Sequence, residues 1–210
     1  LFIDVDGEQW LLDTGAPTSF GASRDLKIAG EQFSLDESYL GLTAATLSQF
    51  VGAPCVGLLG ADVLDCFDSI IDTAAGSLVV STGELSHDGQ PVSLDDFMGI
   101  PIVTARIGDR ECRMFFDTGA QISYFQDESL TEFPFAGKLT DFYPGFGQFE
   151  VDTYDVPISI GGVCFQVRCG TLPGLLGMTL MMADAEGIVG NSILTGRRVG
   201  YFPRRRAIFF

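Results

Sequence analysis

Imidazole is nearly absent: the 210 residues include one histidine, His87. A Ser-His-Asp or Cys-His enzyme needs an imidazole beside its nucleophile, and His87 stands among loop-forming residues, so those mechanisms are not expected. The five cysteines, Cys55, Cys66, Cys112, Cys164 and Cys169, form no C-x-x-C pair, and with so few nitrogen ligands no zinc or other metal site is expected. Free buried thiols are the first expectation for them, with one disulfide, Cys55 to Cys66 or Cys164 to Cys169, as the alternative. Positive charge is scarce as well. Only 12 Lys and Arg stand against 28 Asp and Glu, a formal charge of −16, which disfavours a nucleic-acid groove or an anionic membrane surface as partner. No apolar run reaches the roughly 18 residues of a membrane span, so a soluble domain without a span is expected. The first residue is Leu1 rather than Met, which reads as a mature or trimmed form whose targeting segment is missing; the compartment stays open. Asp4, Asp6 and Glu8 lack the spacing of a calcium loop and read as hydrated surface groups.

What is present is apolar material and a repeat. Hydrophobic residues at 46% and 18 phenylalanines suffice for one domain or for two of about 100 residues each. The chain writes one stretch twice, Leu12-Asp13-Thr14-Gly15-Ala16 and Phe116-Asp117-Thr118-Gly119-Ala120. With average residue usage, two copies of a given tetrapeptide occur by chance in on the order of one chain in a hundred thousand of this length. Each copy follows an apolar run (Trp10 to Leu12; Met114 to Phe116), so each reads as a strand ending in a tight turn with a carboxylate at its tip.

The neighbouring text repeats with it. Leu1 to Val5, the Asp6-Gly7 turn and Gln9 to Leu12 read as a hairpin delivering Asp13; Ile100 to Ile107, Gly108-Asp109 and Cys112 to Phe116 read as another delivering Asp117. Alternating residues between Ser23 and Leu40 suggest short antiparallel strands. Leu58-Leu59-Gly60 and Ile188-Val189-Gly190 form a second repeated signature, a buried strand stopped by glycine. Ser69 to Asp72 and Ser77 to Ser81 read as strands, and Thr82 to Gly99 as a linker with a boundary near residue 90. The expected organisation is therefore a lobe over 1–90 and a lobe over 91–210. Asp13 and Asp117 are 104 residues apart while Gly60 and Gly190 are 130 apart, so the second lobe carries 26 more residues between its signatures. The addition is expected to include Leu139 to Tyr154, a long hairpin whose Pro144-Gly145-Phe146-Gly147 tip can swing. Arg204 to Arg206, inside a strand-like end, read as a solvated strand edge or as pairing to the acidic surface.

Two carboxyl groups held about 3 Å apart cannot both ionise cheaply, so they share one proton and act as acid and base together. One can deprotonate a water attacking a peptide carbonyl while the other protonates the developing oxyanion. Such chemistry needs no metal, cofactor or covalent intermediate.

On these residues, the doubled Asp-Thr-Gly-Ala and the two apolar-apolar-Gly signatures in the right order, the chain resembles the pepsin and retropepsin aspartic proteases. The resemblance implies an all-β, bilobal acid-protease fold made of two retropepsin-like lobes in a pseudo-two-fold relation. It implies that Asp13 and Asp117 are the catalytic dyad and that Thr14 and Thr118 hydrogen-bond across the lobe junction, with Leu59, Gly60, Val189 and Gly190 as active-site support. Gly15 and Gly119 would let substrate backbone approach, and Tyr143, Gly145, Phe146 and Gly147 would close over it. Leu1 to Val5, Ala207 to Phe210 and the linker region would supply the sheet joining the lobes. The implied activity is that of an endopeptidase with apolar subsites, acting as a monomer on extended peptide and blocked by peptidomimetic inhibitors of the family. The alternatives are a catalytically silent peptide-binding module and an adaptor on the same fold. Two departures shape the expectation. The stretch Gln32 to Phe50 is short and lacks a Gly-x-Gly tip, so one flap is expected, on the second lobe. Alanine follows each Asp-Thr-Gly where pepsins place a hydroxyl, so an optimum of about pH 4 to 6 is expected.

Overall fold

A computed structural model describes residues 1–210, the side chain of Leu175 excepted. The chain is mostly β, with 49% of residues in strands against 15% in helices, and among the described residues no helix is long and apolar enough to cross a membrane.

A four-strand unit occurs twice. In the N-terminal half the order is Phe2–Val5, Glu8–Leu12, Gly57–Leu59, Phe20–Gly21; in the C-terminal half Ile100–Ile107, Arg110–Phe116, Gly187–Val189 and Ser123–Phe125 lie in the same order. Registers match as well. Trp10, Leu11 and Leu12 run parallel to Gly57, Leu58 and Leu59, just as Met114, Phe115 and Phe116 run parallel to Gly187, Ile188 and Val189. The glycines that open the third strands are forced, because a Cβ on Gly57 or Gly187 would sit 2.3 or 2.1 Å from the carbonyl oxygen of Phe20 or Tyr124. Both Asp-Thr-Gly turns thus follow a strand buried between two others, which holds them rigidly.

The halves diverge after a shared hairpin. Ser38–Tyr39 pairs with Leu42–Thr43 around Leu40-Gly41, and Phe135–Tyr143 pairs with Gly147–Ile160 around Pro144-Gly145-Phe146. Leu40-Gly41 and Pro144-Gly145 stand at the same distance from their aspartates, since the 104-residue offset persists to both tips. The extra residues of the second half therefore lie beyond its tip, in the 14-residue strand Gly147–Ile160, in Val163–Gly170 and in the helix Gly174–Met182. The expected addition, Leu139 to Tyr154, thus overlaps the excess only from Gly147 onward, and the rest of the excess lies after Tyr154. The expectation for Gln32 to Phe50 is corrected, since that stretch supplies a small hairpin and a helix, Ala44–Val51. That helix is fixed by a capping box, in which Thr43 accepts from the Thr46 amide and the Thr46 hydroxyl accepts from the Thr43 amide. Gly52, at φ 69°, ends it.

A five-stranded sheet joins the halves, in the order Ser77–Ser81, Asp68–Asp72, Arg198–Phe202, Ala207–Phe209, Pro91–Ser93. Part of the expected linker is therefore a strand. Phe2–Val5 is not in this sheet, contrary to expectation: the tight Asp6-Gly7 turn folds it onto Glu8–Leu12, where it is the edge strand of the N-terminal sheet. One continuous apolar cluster contains Trp10, Leu12 and Phe67 from the first half with Phe116, Val189 and Tyr201 from the second, so burial binds the halves together.

The arginine run is exposed and is not a continuous strand, and of the two expectations it follows the second, since its members pair with the carboxylates of Asp68, Glu84 and Asp96. Pro203–Arg205 forms a single 3-10 turn that aims Arg204 and Arg205 at the fully buried carboxylate of Asp68, at 3.0 and 2.5 Å. Asp68 also accepts from the Leu85 amide, while the two guanidinium groups reach the carbonyls of Thr82, Gly83 and Leu85. This pins the start of the connecting segment to the joining sheet. Asp68→Asn, which keeps one acceptor oxygen and strands two partly exposed cations, is expected to cost about 2 kcal/mol in urea unfolding.

All five cysteines are free thiols. Cys55, Cys112 and Cys169 are buried, but Cys66 and Cys164 are exposed, which corrects the expectation that all are buried. Cys164 and Cys169 lie five positions apart on one strand, so their side chains take opposite faces and cannot bridge.

Candidate active site

The two Asp-Thr-Gly turns face each other and are cross-linked by their threonines. The Thr14 hydroxyl donates to the Phe116 carbonyl at 2.6 Å and accepts from the Thr118 amide at 3.0 Å. Reciprocally, the Thr118 hydroxyl donates to the Leu12 carbonyl at 2.8 Å and accepts from the Thr14 amide at 3.1 Å. Both side chains are buried. Four hydrogen bonds without water hold each turn against the other half.

The carboxyl groups of Asp13 and Asp117 face the same cavity, each packed over the glycine of the opposite turn. They leave no room beside the opposite turn: a Cβ on Gly15 would lie 2.3 Å from the Asp117 carboxyl carbon, and one on Gly119 would lie 2.3 Å from that of Asp13. Glycine is thus the residue that allows the two carboxyls to meet. Burial raises the pKa of both aspartates, and the neighbouring Asp117 charge raises Asp13 further. The pair is not symmetric. Asp13 Oδ1 accepts one amide, that of Gly15 at 2.9 Å, whereas Asp117 Oδ1 accepts two, from Gly119 at 2.8 Å and Ala120 at 3.0 Å. The Ala16 amide turns instead to the Asp13 carbonyl. The second amide makes Asp117 the better-stabilised anion, which favours the shared proton on Asp13 while the titration belongs to the pair.

Behind each turn a serine completes the support. Ser19 Oγ accepts from the Gly60 amide at 2.8 Å and donates to Asp62, and Ser123 Oγ accepts from the Gly190 amide at 3.1 Å. Gly60 and Gly190 admit no Cβ, which would fall 2.5 Å from the Ala16 carbonyl oxygen and 2.4 Å from that of Ile122. Leu59 and Val189 are fully buried one residue earlier, and their carbonyls accept from the Asp13 and Asp117 amides. The serines escaped the sequence reading. Their signal was present, since each stands six residues after its aspartate.

The carboxyls open on a cavity of about 140 Å³ whose walls come from both halves. Its roof is made of Tyr39 and Leu40 from the short hairpin and of Phe142, Tyr143 and Pro144 from the long one. Phe142 stacks on Phe50 of the Ala44–Val51 helix, with centroids 4.8 Å apart and planes at 19°, so the long hairpin rests on the opposite half. Tyr143 lines the cavity as expected from sequence, but Gly145, Phe146 and Gly147 do not. Tyr143 to Phe146 is a turn closed by the Phe146 amide on the Tyr143 carbonyl, with Pro144 and then Gly145 at φ 78°, the geometry of a type II turn. That turn carries Phe146 past the last paired residue, where it is exposed and leans edge-on against Phe149. Phe149, the third aromatic expected at the cleft, stands three residues on in the return strand and lines the cavity.

A larger hollow of about 580 Å³ runs under Phe2–Val5 and the Asp68–Ser81 strands, but neither Asp13 nor Asp117 reaches it. Among the described residues, no group of three His, Cys, Asp or Glu side chains is placed to hold a metal ion. Neither a scan against protein-family models nor a search of curated proteins returns a match to this chain.

Proposed function

We propose that this chain is an aspartic endopeptidase with the bilobal acid-protease fold, its two retropepsin-like lobes, 1–90 and 91–210, related by a pseudo-two-fold axis between the Asp-Thr-Gly turns. One observation carries the reading: Asp13 and Asp117, from equivalent turns cross-linked by their threonines, are packed over each other's glycine and line one cavity. Burial with mutual repulsion favours a single proton on the pair, which is the state that acid and base catalysis by two carboxyls requires.

In the proposed cycle Asp117, the ionised partner, takes a proton from a water placed between the carboxyls, and the water oxygen attacks the scissile carbonyl carbon. Asp13 gives its proton to the carbonyl oxygen, so the tetrahedral intermediate is a neutral gem-diol. The proton on Asp117 then passes to the amide nitrogen while Asp13 recovers one from a hydroxyl, and the carbon–nitrogen bond breaks. The cavity is smaller than the roughly 300 to 1,000 Å³ of ordinary ligand sites. An extended peptide therefore enters only when the 135–160 hairpin lifts, which breaks the Phe50–Phe142 stack. Both carboxyls belong to one chain, so a monomer is sufficient.

Digestion of a peptide library supplies the test. Wild-type protein should cleave at mildly acidic pH, a statine-containing peptide that mimics the tetrahedral intermediate should inhibit, and Asp117→Asn should abolish cleavage. Turnover in Asp117→Asn equal to wild type would refute the dyad.

A further inference from the structure

Phe20 and Tyr124 are equivalent residues of the two halves. Each follows the serine that supports the glycine signature, each pairs with the middle residue of the third strand (Leu58 or Ile188), and each lines the cavity. Their surroundings differ in kind. Around Phe20 the wall is wholly apolar, with Leu11, Leu42, Leu47 and Leu58. Around Tyr124 it holds a carboxylate, because the Tyr124 hydroxyl donates to Asp141 Oδ2 on the long hairpin, and Asp141 also lines the cavity. Asp141 Oδ1 accepts from the Phe142 amide at 2.8 Å. Both donors are neutral. Among the described residues no lysine or arginine lines the cavity or pairs with Asp141, so its negative charge is oriented but not cancelled.

We propose that Asp141 determines specificity, by making the subsite beside Tyr124 select a basic side chain, Lys or Arg, while the subsite beside Phe20 takes an apolar one. This rests on the endopeptidase reading and replaces its two apolar subsites by one apolar and one acidic. A half-buried carboxylate with a free lone pair gains a charge-assisted hydrogen bond from an ammonium or guanidinium. It would have to be desolvated against nothing if an apolar side chain covered it. The substrate class is therefore extended peptide with a basic residue on one side of the scissile bond and an apolar residue on the other.

The competing explanation is that Asp141 only ties the hairpin to Tyr124. Asp141→Asn separates the two, because an amide oxygen still accepts from the Tyr124 hydroxyl while the charge is gone. Paired peptides differing only in Lys, Leu or Glu at the selected position are compared in kcat/KM with wild type, Asp141→Asn and Asp141→Lys. The expected Lys-over-Leu preference is about tenfold or more in wild type, the size of one charge-assisted hydrogen bond, close to none in Asp141→Asn, and reversed toward Glu in Asp141→Lys. The same three side chains in uncleavable statine peptides, read by binding calorimetry, keep the outcome separate from catalysis. Preferential binding of the Lys peptide that is lost in Asp141→Asn supports the assignment even if nothing is cleaved, which would sink only the endopeptidase reading. Cleavage or binding with no basic preference, a preference that survives in Asp141→Asn, or no binding of any of the peptides overturns it.

Discussion

Asp13→Asn is expected to lower peptide cleavage by about 10³-fold or more and, at the same time, to raise the melting temperature at pH 7. The asparagine is expected to fit the site, its oxygen keeping the Gly15 amide hydrogen bond and its NH₂ turned to the neighbouring Asp117 carboxylate. What disappears is the cost of keeping a buried pair that is asked to ionise further. The sign follows from the raised pKa of Asp13, caused first by burial and then by the Asp117 charge. A carboxyl whose pKa is higher folded than unfolded stabilises the fold when both states are protonated, and that contribution is lost as pH rises through the folded value. Wild type should therefore lose stability from mild acid toward neutrality while the variant does not. The gap between their melting temperatures should be small near pH 4 and widen to pH 8, by about 2 to 4 °C for each kcal/mol. Calorimetric scans across that range check it; a variant less stable than wild type at pH 7 would show that the pair is not strained by ionisation.

Thr14→Val should destabilise the protein by about 2 to 5 kcal/mol, the cost of leaving two buried backbone groups without partners. Valine matches threonine in shape, so the loss is not a cavity. It strands the Phe116 carbonyl and the Thr118 amide, both buried at the junction where water cannot replace the hydroxyl. Thr14→Ser retains the oxygen and should recover most of the loss. Urea unfolding of the pair measures this, and equal midpoints for Thr14→Val and wild type would mean that the cross-link contributes nothing. Because the same bonds fix the two aspartate turns against each other, cleavage should fall with stability in the valine variant.

Much of this arrangement is legible in the residues because backbone geometry demands particular ones. Gly15, Gly60, Gly119 and Gly190 are placed where a Cβ would collide with a carboxyl or a carbonyl, so their spacing survives in the sequence as a readable pattern. The strands that carry Asp13 and Asp117 are equally plain, as apolar runs ending in a turn. The two longer helices were not legible. Gly174–Met182 is apolar nearly all round, and a short apolar run has no periodicity to separate helix from strand. Ala44–Val51 is capped by a threonine pair, Thr43 and Thr46, rather than by the acidic residue that usually marks a capping box. Asp141 was invisible for another reason. Its role depends on Tyr124, 17 residues earlier, and no local pattern announces a pair formed by folding a hairpin over a strand.

The joining sheet sets two strands of one half, Ser77–Ser81 and Asp68–Asp72, beside two of the other, Arg198–Phe202 and Ala207–Phe209, with Pro91–Ser93 at its edge. Between Ser81 and Pro91 the polypeptide, held by Asp68, Arg204 and Arg205, keeps these strands at high effective concentration. Cut there, the molecule becomes two fragments whose carboxyls meet only on association, and its pairing of aspartates becomes a readout of proximity. The covalent connection thus stands in for the concentration that a dimer of separate halves would need, and Asp68, gripped by Arg204 and Arg205 beside that connection, is the clasp that such a split would have to re-form.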